Sequence, residues 1–228
     1  MKRGISILAV VTALLLSFAL YEALIGAPTE RTMGDVQRIF YYHVPSAWTA
    51  FLLFLINFVA SVVYLVRRNE KADILALVSA EVGVVFCTVV IMTGPIWARP
   101  VWGIWWAAGD IRLTTTLVLW LIYISYLVLR RFSTSGQTPI IAAVLAVFGA
   151  LDVPLVYFSI WFFRTQHPSP VIGGGGSLDP RMAHVLLINW AAFLCLAWLV
   201  SWTRYRLEVV KREVEEAQAL ESLLEGSR

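Results

Sequence analysis

The sequence predicts an all-α polytopic membrane protein with six transmembrane helices, a short outward amphipathic helix and a cytoplasmic C-terminal helical extension. Three observations carry this. Hydrophobic residues make up 59% of the chain and charged residues 14%, with a mean hydropathy of +0.75. Ordinary soluble domains hold about 45–50% and about 25%, so a water-facing surface cannot be built here, and disorder is excluded by the same imbalance. Second, six apolar runs approach or reach the roughly 20 residues a helix needs to cross a bilayer. They lie at roughly 5–25, 46–66, 73–96, 113–129, 138–160 and 182–203. Third, the basic residues are unevenly distributed between the two sets of connections.

One set carries Lys2, Arg3, Arg67, Arg68, Lys71, Arg130, Arg131, Arg204, Arg206, Lys211 and Arg212. The other carries Arg31, Arg38, Arg99, Arg112, Arg164 and Arg181. Positive charge stays in the cytoplasm. Both termini are therefore expected inside, and the long connections at 26–45, 97–112 and 161–181 face outward. The first run follows Lys2 and Arg3 as a signal peptide would, but its cleavage signal near Ala23–Ala27 is weak and more spans follow. It reads as a retained anchor. Residues 1–203 then form the membrane domain and 204–228 a charged cytoplasmic tail. Leu207, Val210, Val214, Ala217, Leu220 and Leu224 give the tail a helical stripe, and Glu208 is placed to pair Arg212 at i+4.

In the first outer connection, Met33, Val36, Phe40 and Val44 recur every three to four residues. That spacing predicts a short helix on the membrane surface. It delivers His43 just before Pro45, which is expected to open the second span at its first turn. The last outer connection carries His167, then Pro168, Pro170 and the run Gly173–Gly176. These breakers predict a loop. No Gly-Lys-Ser/Thr follows the glycines, so it is not a phosphate loop.

Cys87 and Cys195 lie inside apolar runs without metal or redox spacing, and are expected to act as small buried hydrophobes. The net charge of +3 and the lack of a basic aromatic stretch exclude a nucleic-acid binder. The candidates for a polar path through the spans are Asn57, Glu81, Asp152 and Asn189. They are too scattered to define a transport path, and each carboxylate needs a partner or water.

All three histidines, His43, His167 and His184, fall at or beyond the outer ends of spans. So do Trp48, Trp97, Trp102, Trp105, Trp106 and Trp161. An interfacial belt populates both faces and needs no local crowding. Four tryptophans between residues 97 and 106 instead predict an aromatic platform for a flat apolar ligand. Arg99 and Arg112 flank it, and an arginine fork suits carboxylates. A planar aromatic ligand with carboxylates, beside outward histidines, points to haem.

These segments resemble the cytochrome c maturation protein C family, whose outward loop reads roughly W-G-x-W-W-x-W-D-x-R-L-T. Trp102, Gly103, Trp105, Trp106, Asp110, Arg112, Leu113 and Thr114 match it. His43, Val44, Pro45, Ser46, Ala47 and Trp48 match the family's H-V-P-S-A-W segment. Thr165 and His167, after Phe162 and Phe163, match its second histidine segment. The likeness covers nearly the whole chain. One departure is that Ala107-Ala108-Gly109 separates Trp106 from Asp110 where two residues are usual. Gly109 then stands in place of a tryptophan, so one stacking face is expected to be lost or replaced.

The resemblance implies an outward b-type haem site. His43 and His167 would be the iron ligands, and Trp48, Trp102, Trp105, Trp106, Asp110, Arg99 and Arg112 would complete it. His184, one turn into the sixth span, competes for the second ligand position. The loop setting of His167 favours it, since a loop can open without unpacking helices. The resemblance also implies partners: a periplasmic haem chaperone (cytochrome c maturation protein E), an ABC transporter formed by the A and B proteins, and a small membrane protein, D. The bacterial inner membrane is the implied location. No ATPase motif and no catalytic constellation appears, so a haem delivery component is favoured over a haem lyase-type enzyme or a haem permease subunit.

Overall fold

A computed structural model describes residues 2–163, 165–170 and 178–226. Arg164 and the glycine run lie outside the described residues. Among those described there are six helices long and apolar enough to cross a membrane, and no strand pairs into a sheet. The helices are α1 (Lys2–Tyr21), α2 (Phe40–Arg67), α3 (Glu70–Trp102), α4 (Ile111–Phe132), α5 (Thr138–Ala150), α6 (Asp152–Phe162) and α7 (Pro180–Gly226). The six expected spans are all present. α5 and α6 together form the fifth, which breaks at Leu151. Pro154 explains the break: it has no N–H for the carbonyl four residues earlier, and its ring crowds that carbonyl.

The short helix expected in the connection 26–45 is a 3-10 turn, Asp35–Ile39, that runs straight into α2 at Phe40. One expectation needs correction. Pro45 therefore lies inside α2 instead of opening it, and His43 sits in the helix's first turn. Burial supplies the reason. Tyr41, within this extra turn, packs with Ala23, Ala27, Met182, Val185 and Leu186, drawing the turn against the segment that follows α1 and against α7. Arg38 fastens the approach by donating to the Ala23 carbonyl at 2.9 Å and the Ala27 carbonyl at 3.4 Å.

α2 and α3 form the central antiparallel pair. Their turn needs only Arg68, in the left-handed region at φ 53°, and Asn69, whose side chain accepts from the Lys71 and Ala72 N–H groups. Such a cap satisfies orphan donors at the helix start. Against this pair Phe54 stacks on Tyr123 with ring centres 3.8 Å apart. Gly83 admits that ring, since a Cβ there would meet Phe54 at 2.7 Å.

The polar residues inside spans mostly bridge helices. Asn57 donates to the Ala76 carbonyl at 2.7 Å and accepts from the Tyr123 hydroxyl at 3.3 Å. Asn189 donates to the Val185 carbonyl at 2.9 Å and reaches the Ala19 carbonyl at 3.3 Å. Glu81 pairs with Arg204 at 2.8 Å. Asp152 is buried at the kink with Oδ2 unpartnered.

α7 runs unbroken from the sixth span into the tail. Its Arg212 meets Asp73 of α3 at 2.7 Å, and Asp73 also receives both Nη atoms of Arg130 at 2.5 and 2.8 Å. Glu208 bonds Arg204 at 3.0 Å and Arg212 at 3.5 Å. The start of the tail is thus docked on the bundle. Farther on, Leu220, Leu223 and Leu224 are exposed.

Candidate functional site: a cavity between two histidines

His43 projects from the first turn of α2 and His167 from the last outer connection. Their ring centres lie 6.3 Å apart, with planes inclined at 33°. Two metal–imidazole bonds of about 2.0 Å each, plus the half-ring beyond each nitrogen, span about 6 Å. The spacing fits one metal atom between the two rings.

Hydrogen bonds set which nitrogen each ring offers. His167 Nδ1 lies 2.9 Å from the Pro168 carbonyl, which can only accept, so Nδ1 carries the proton and Nε2 is bare. Burial and the nearby Arg112 push His167 down to about 4, against the opposing pull of the Pro168 carbonyl and Asp110. The ring is therefore neutral at pH 7, as a metal ligand must be.

Between and around the histidines lies a cavity of about 1210 Å³, larger than the roughly 300–1,000 Å³ of common small-molecule sites. Of the residues the sequence singles out, His43, His167, Trp48, Trp102, Trp106 and Arg112 line it. Trp48 meets Trp190 of α7 edge-on at 5.1 Å, and Trp97 meets Trp102 edge-on at 5.2 Å. Each tryptophan pair thus braces one wall. Arg112 brings charge to this apolar wall. Its Nη1 is buried with no hydrogen-bond partner, an arrangement that leaves a desolvated donor for an anion.

Three of the expected residues do not line the cavity. Trp105 is 59% exposed. Arg99 donates to the Gly103 carbonyl, closing the end of α3, where Gly103 takes φ 78°. Asp110 is buried, and its carboxylate is committed to backbone. Oδ1 accepts from Arg112 N–H at 3.0 Å and Leu113 N–H at 3.2 Å, while Oδ2 accepts from Gln166 N–H at 2.7 Å. It caps α4 and ties down the segment that carries His167. His184 is exposed, outside the cavity, in a small cleft with Glu22 and Arg181.

Sequence reasoning missed Trp190 and Tyr157, which also line the cavity. Trp190 sits among apolar residues of α7 like any core aromatic, and only the fold turns it toward Trp48. Tyr157 lies on α6, beyond the break at Leu151.

The family model described as heme exporter protein C matches residues 1–220. The chain belongs to this family. Curated relatives include heme exporter protein C of Bradyrhizobium diazoefficiens, 34% identical over 94% of this chain and 82% of the relative. Heme exporter protein C of Escherichia coli K12 is 29% identical over 89% of this chain and 82% of the relative. A putative cytochrome c biosynthesis ccmC-like mitochondrial protein of Marchantia polymorpha is 30% identical, covering 80% and 78%.

Proposed function

We propose that the chain holds haem in the outward cavity, with iron between His43 Nε2 and His167 Nε2, and passes it to a periplasmic haem chaperone during cytochrome c maturation. The observation that carries this is the 6.3 Å separation of two rings that are not otherwise packed on each other. Haem is the cargo here. The chain's own residues bind it, orient it and keep water from it. Trp48, Trp102 and Trp106 offer apolar faces to the macrocycle, and Arg112 offers its unpartnered Nη1 to a propionate. Trp105 and Arg99, at the surface, are left for contacts at the mouth of the site.

The site faces the periplasm by the charge distribution of the connections, with both termini in the cytoplasm of a bacterial inner-membrane protein. Delivery fits the chemistry better than catalysis does, because the cavity offers two histidine ligands and tryptophan stacking faces. Energy for release is then supplied by the ABC transporter partners, with the small D protein in the same complex.

The test is the absorption spectrum of the purified protein with added ferric haem b. Two histidine ligands give a low-spin spectrum. His43→Ala and His167→Ala each convert it to high spin or lose haem, and His184→Ala leaves it intact. A His184→Ala protein that loses the low-spin form, beside a normal His167→Ala protein, overturns the assignment.

A further inference from the structure

The two histidines are held in different ways. The His167 ring bonds the carbonyl of its own neighbour, Pro168. His43 is bonded across the helix pair: its Nδ1 lies 2.9 Å from Thr93 Oγ1 on α3. A hydroxyl can donate or accept, so this contact alone does not fix the proton. The rest of the Thr93 environment does. Its Oγ1 lies 2.6 Å from the Val89 carbonyl and 3.5 Å from the Val90 carbonyl. Carbonyls only accept, and a hydroxyl has one proton. That proton is committed to Val89. Thr93 must therefore accept from His43, so Nδ1 bears the hydrogen and Nε2 presents a lone pair to the cavity.

We propose that Thr93 is the positioning residue of the site: its hydroxyl, polarised by the Val89 carbonyl, fixes the tautomer and the direction of His43 toward iron. This rests on the reading of His43 as a haem ligand. A metal-bound histidine usually donates its other N–H to an outer partner, which orients the ring and raises its basicity. Here that partner is a hydroxyl whose own donation to Val89 strengthens it as an acceptor. Space around the ring agrees. A Cβ on Gly94, the residue after Thr93, would come to 3.6 Å from His43 Cε1. The Cε1 edge of the imidazole thus lies close against α3, on the side where Thr93 bonds Nδ1.

The test compares the full-length purified protein with Thr93→Val and Thr93→Ser, titrated with ferric haem b. Valine keeps the shape and removes the acceptor. The expected result is affinity 10- to 100-fold lower for Thr93→Val, with thermal stability close to wild type and near-normal affinity for Thr93→Ser. A second readout isolates the bond. In a His167→Ala background, ferrous haem is five-coordinate through His43, and its iron–histidine stretching frequency reports the basicity of that ring. Adding Thr93→Val lowers the frequency, and Thr93→Ser restores it. An unchanged frequency and affinity in Thr93→Val overturn the role of Thr93 while leaving the site intact. Haem bound normally by His43→Ala overturns the site itself. If Thr93→Val fails to accumulate, Thr93→Ala is put through the same two measurements and decides in the same way.

Discussion

Asp110 Oδ2 accepts the backbone N–H of Gln166 at 2.7 Å, so the tryptophan-rich connection holds the residue next to His167. Two outer segments 56 residues apart are joined by one carboxylate, whose other oxygen caps α4. Asp110→Ala removes all three hydrogen bonds. The lost cap alone costs about 1 kcal/mol, and the His167 segment is released. The expected outcome is a haem spectrum shifted from low spin toward high spin, with His43 ligation retained. A low-spin spectrum identical to wild type refutes the tether.

Arg112 makes a separate prediction, because its Nη1 has no partner within the protein. A charge-assisted bond to a propionate is worth about 1.5–3 kcal/mol, and about 1.4 kcal/mol is tenfold in affinity. Arg112→Ala should weaken haem retention by about tenfold or more, and Arg112→Lys by less. The same titration with a haem dimethyl ester, which lacks the carboxylates, should erase the difference between Arg112→Ala and wild type.

His167 gives a pH dependence whose sign is fixed. Its ordinary value of 6.5 falls to about 4 in the folded protein. As pH drops through 6.5 the unfolded chain takes up a proton that the folded chain refuses, so stability falls with pH. The contribution is complete above 6.5 and lost toward pH 4. Haem-free wild type should therefore lose thermal stability between pH 6.5 and 4.5 more steeply than His167→Gln, which has no such proton. Equal slopes in melting experiments would count against a buried neutral His167.

Asp73 is expected to matter for the fold instead of the cargo. It receives Arg130 through two bonds and Arg212 through a third, and it is 3% exposed. Removing one partner of a buried ion pair strands the other, typically at about 3–5 kcal/mol. Asp73→Ala should lower the unfolding temperature and the yield of folded protein sharply, whereas Arg212→Ala leaves the Arg130 pair and should do less. The haem spectrum of whatever protein folds should be unchanged.

The spans were legible because burial in lipid demands long apolar runs, and six such runs are written plainly in the chain. The outer histidines and Trp102, Trp106 and Arg112 were legible for the opposite reason: they are polar or crowded where a simple span end needs neither. What escaped was whatever depends on tertiary proximity. The reach from Arg212 to Asp73 crosses 139 positions, and that from Arg204 to Glu81 crosses 123. Both arginines read from sequence as inside-facing charges, and that rule says nothing about partners. Pro45 looked like a helix start because local preference places proline there. The packing of Tyr41 outweighed it and carried the helix one turn further out. Thr93 has no sequence signal, since a threonine near the end of a span is ordinary until His43 is found opposite it.

The unbroken course of α7 has a mechanical consequence. At 1.5 Å per residue its 47 residues make a rod of about 70 Å, more than twice the roughly 30 Å of hydrocarbon it crosses. Trp190, in the cavity wall, and Glu208, in the ion cluster at the other end of the bundle, are on the same rod about 27 Å apart. Cavity wall and ion cluster are thus two stretches of one continuous helix, with no joint between them.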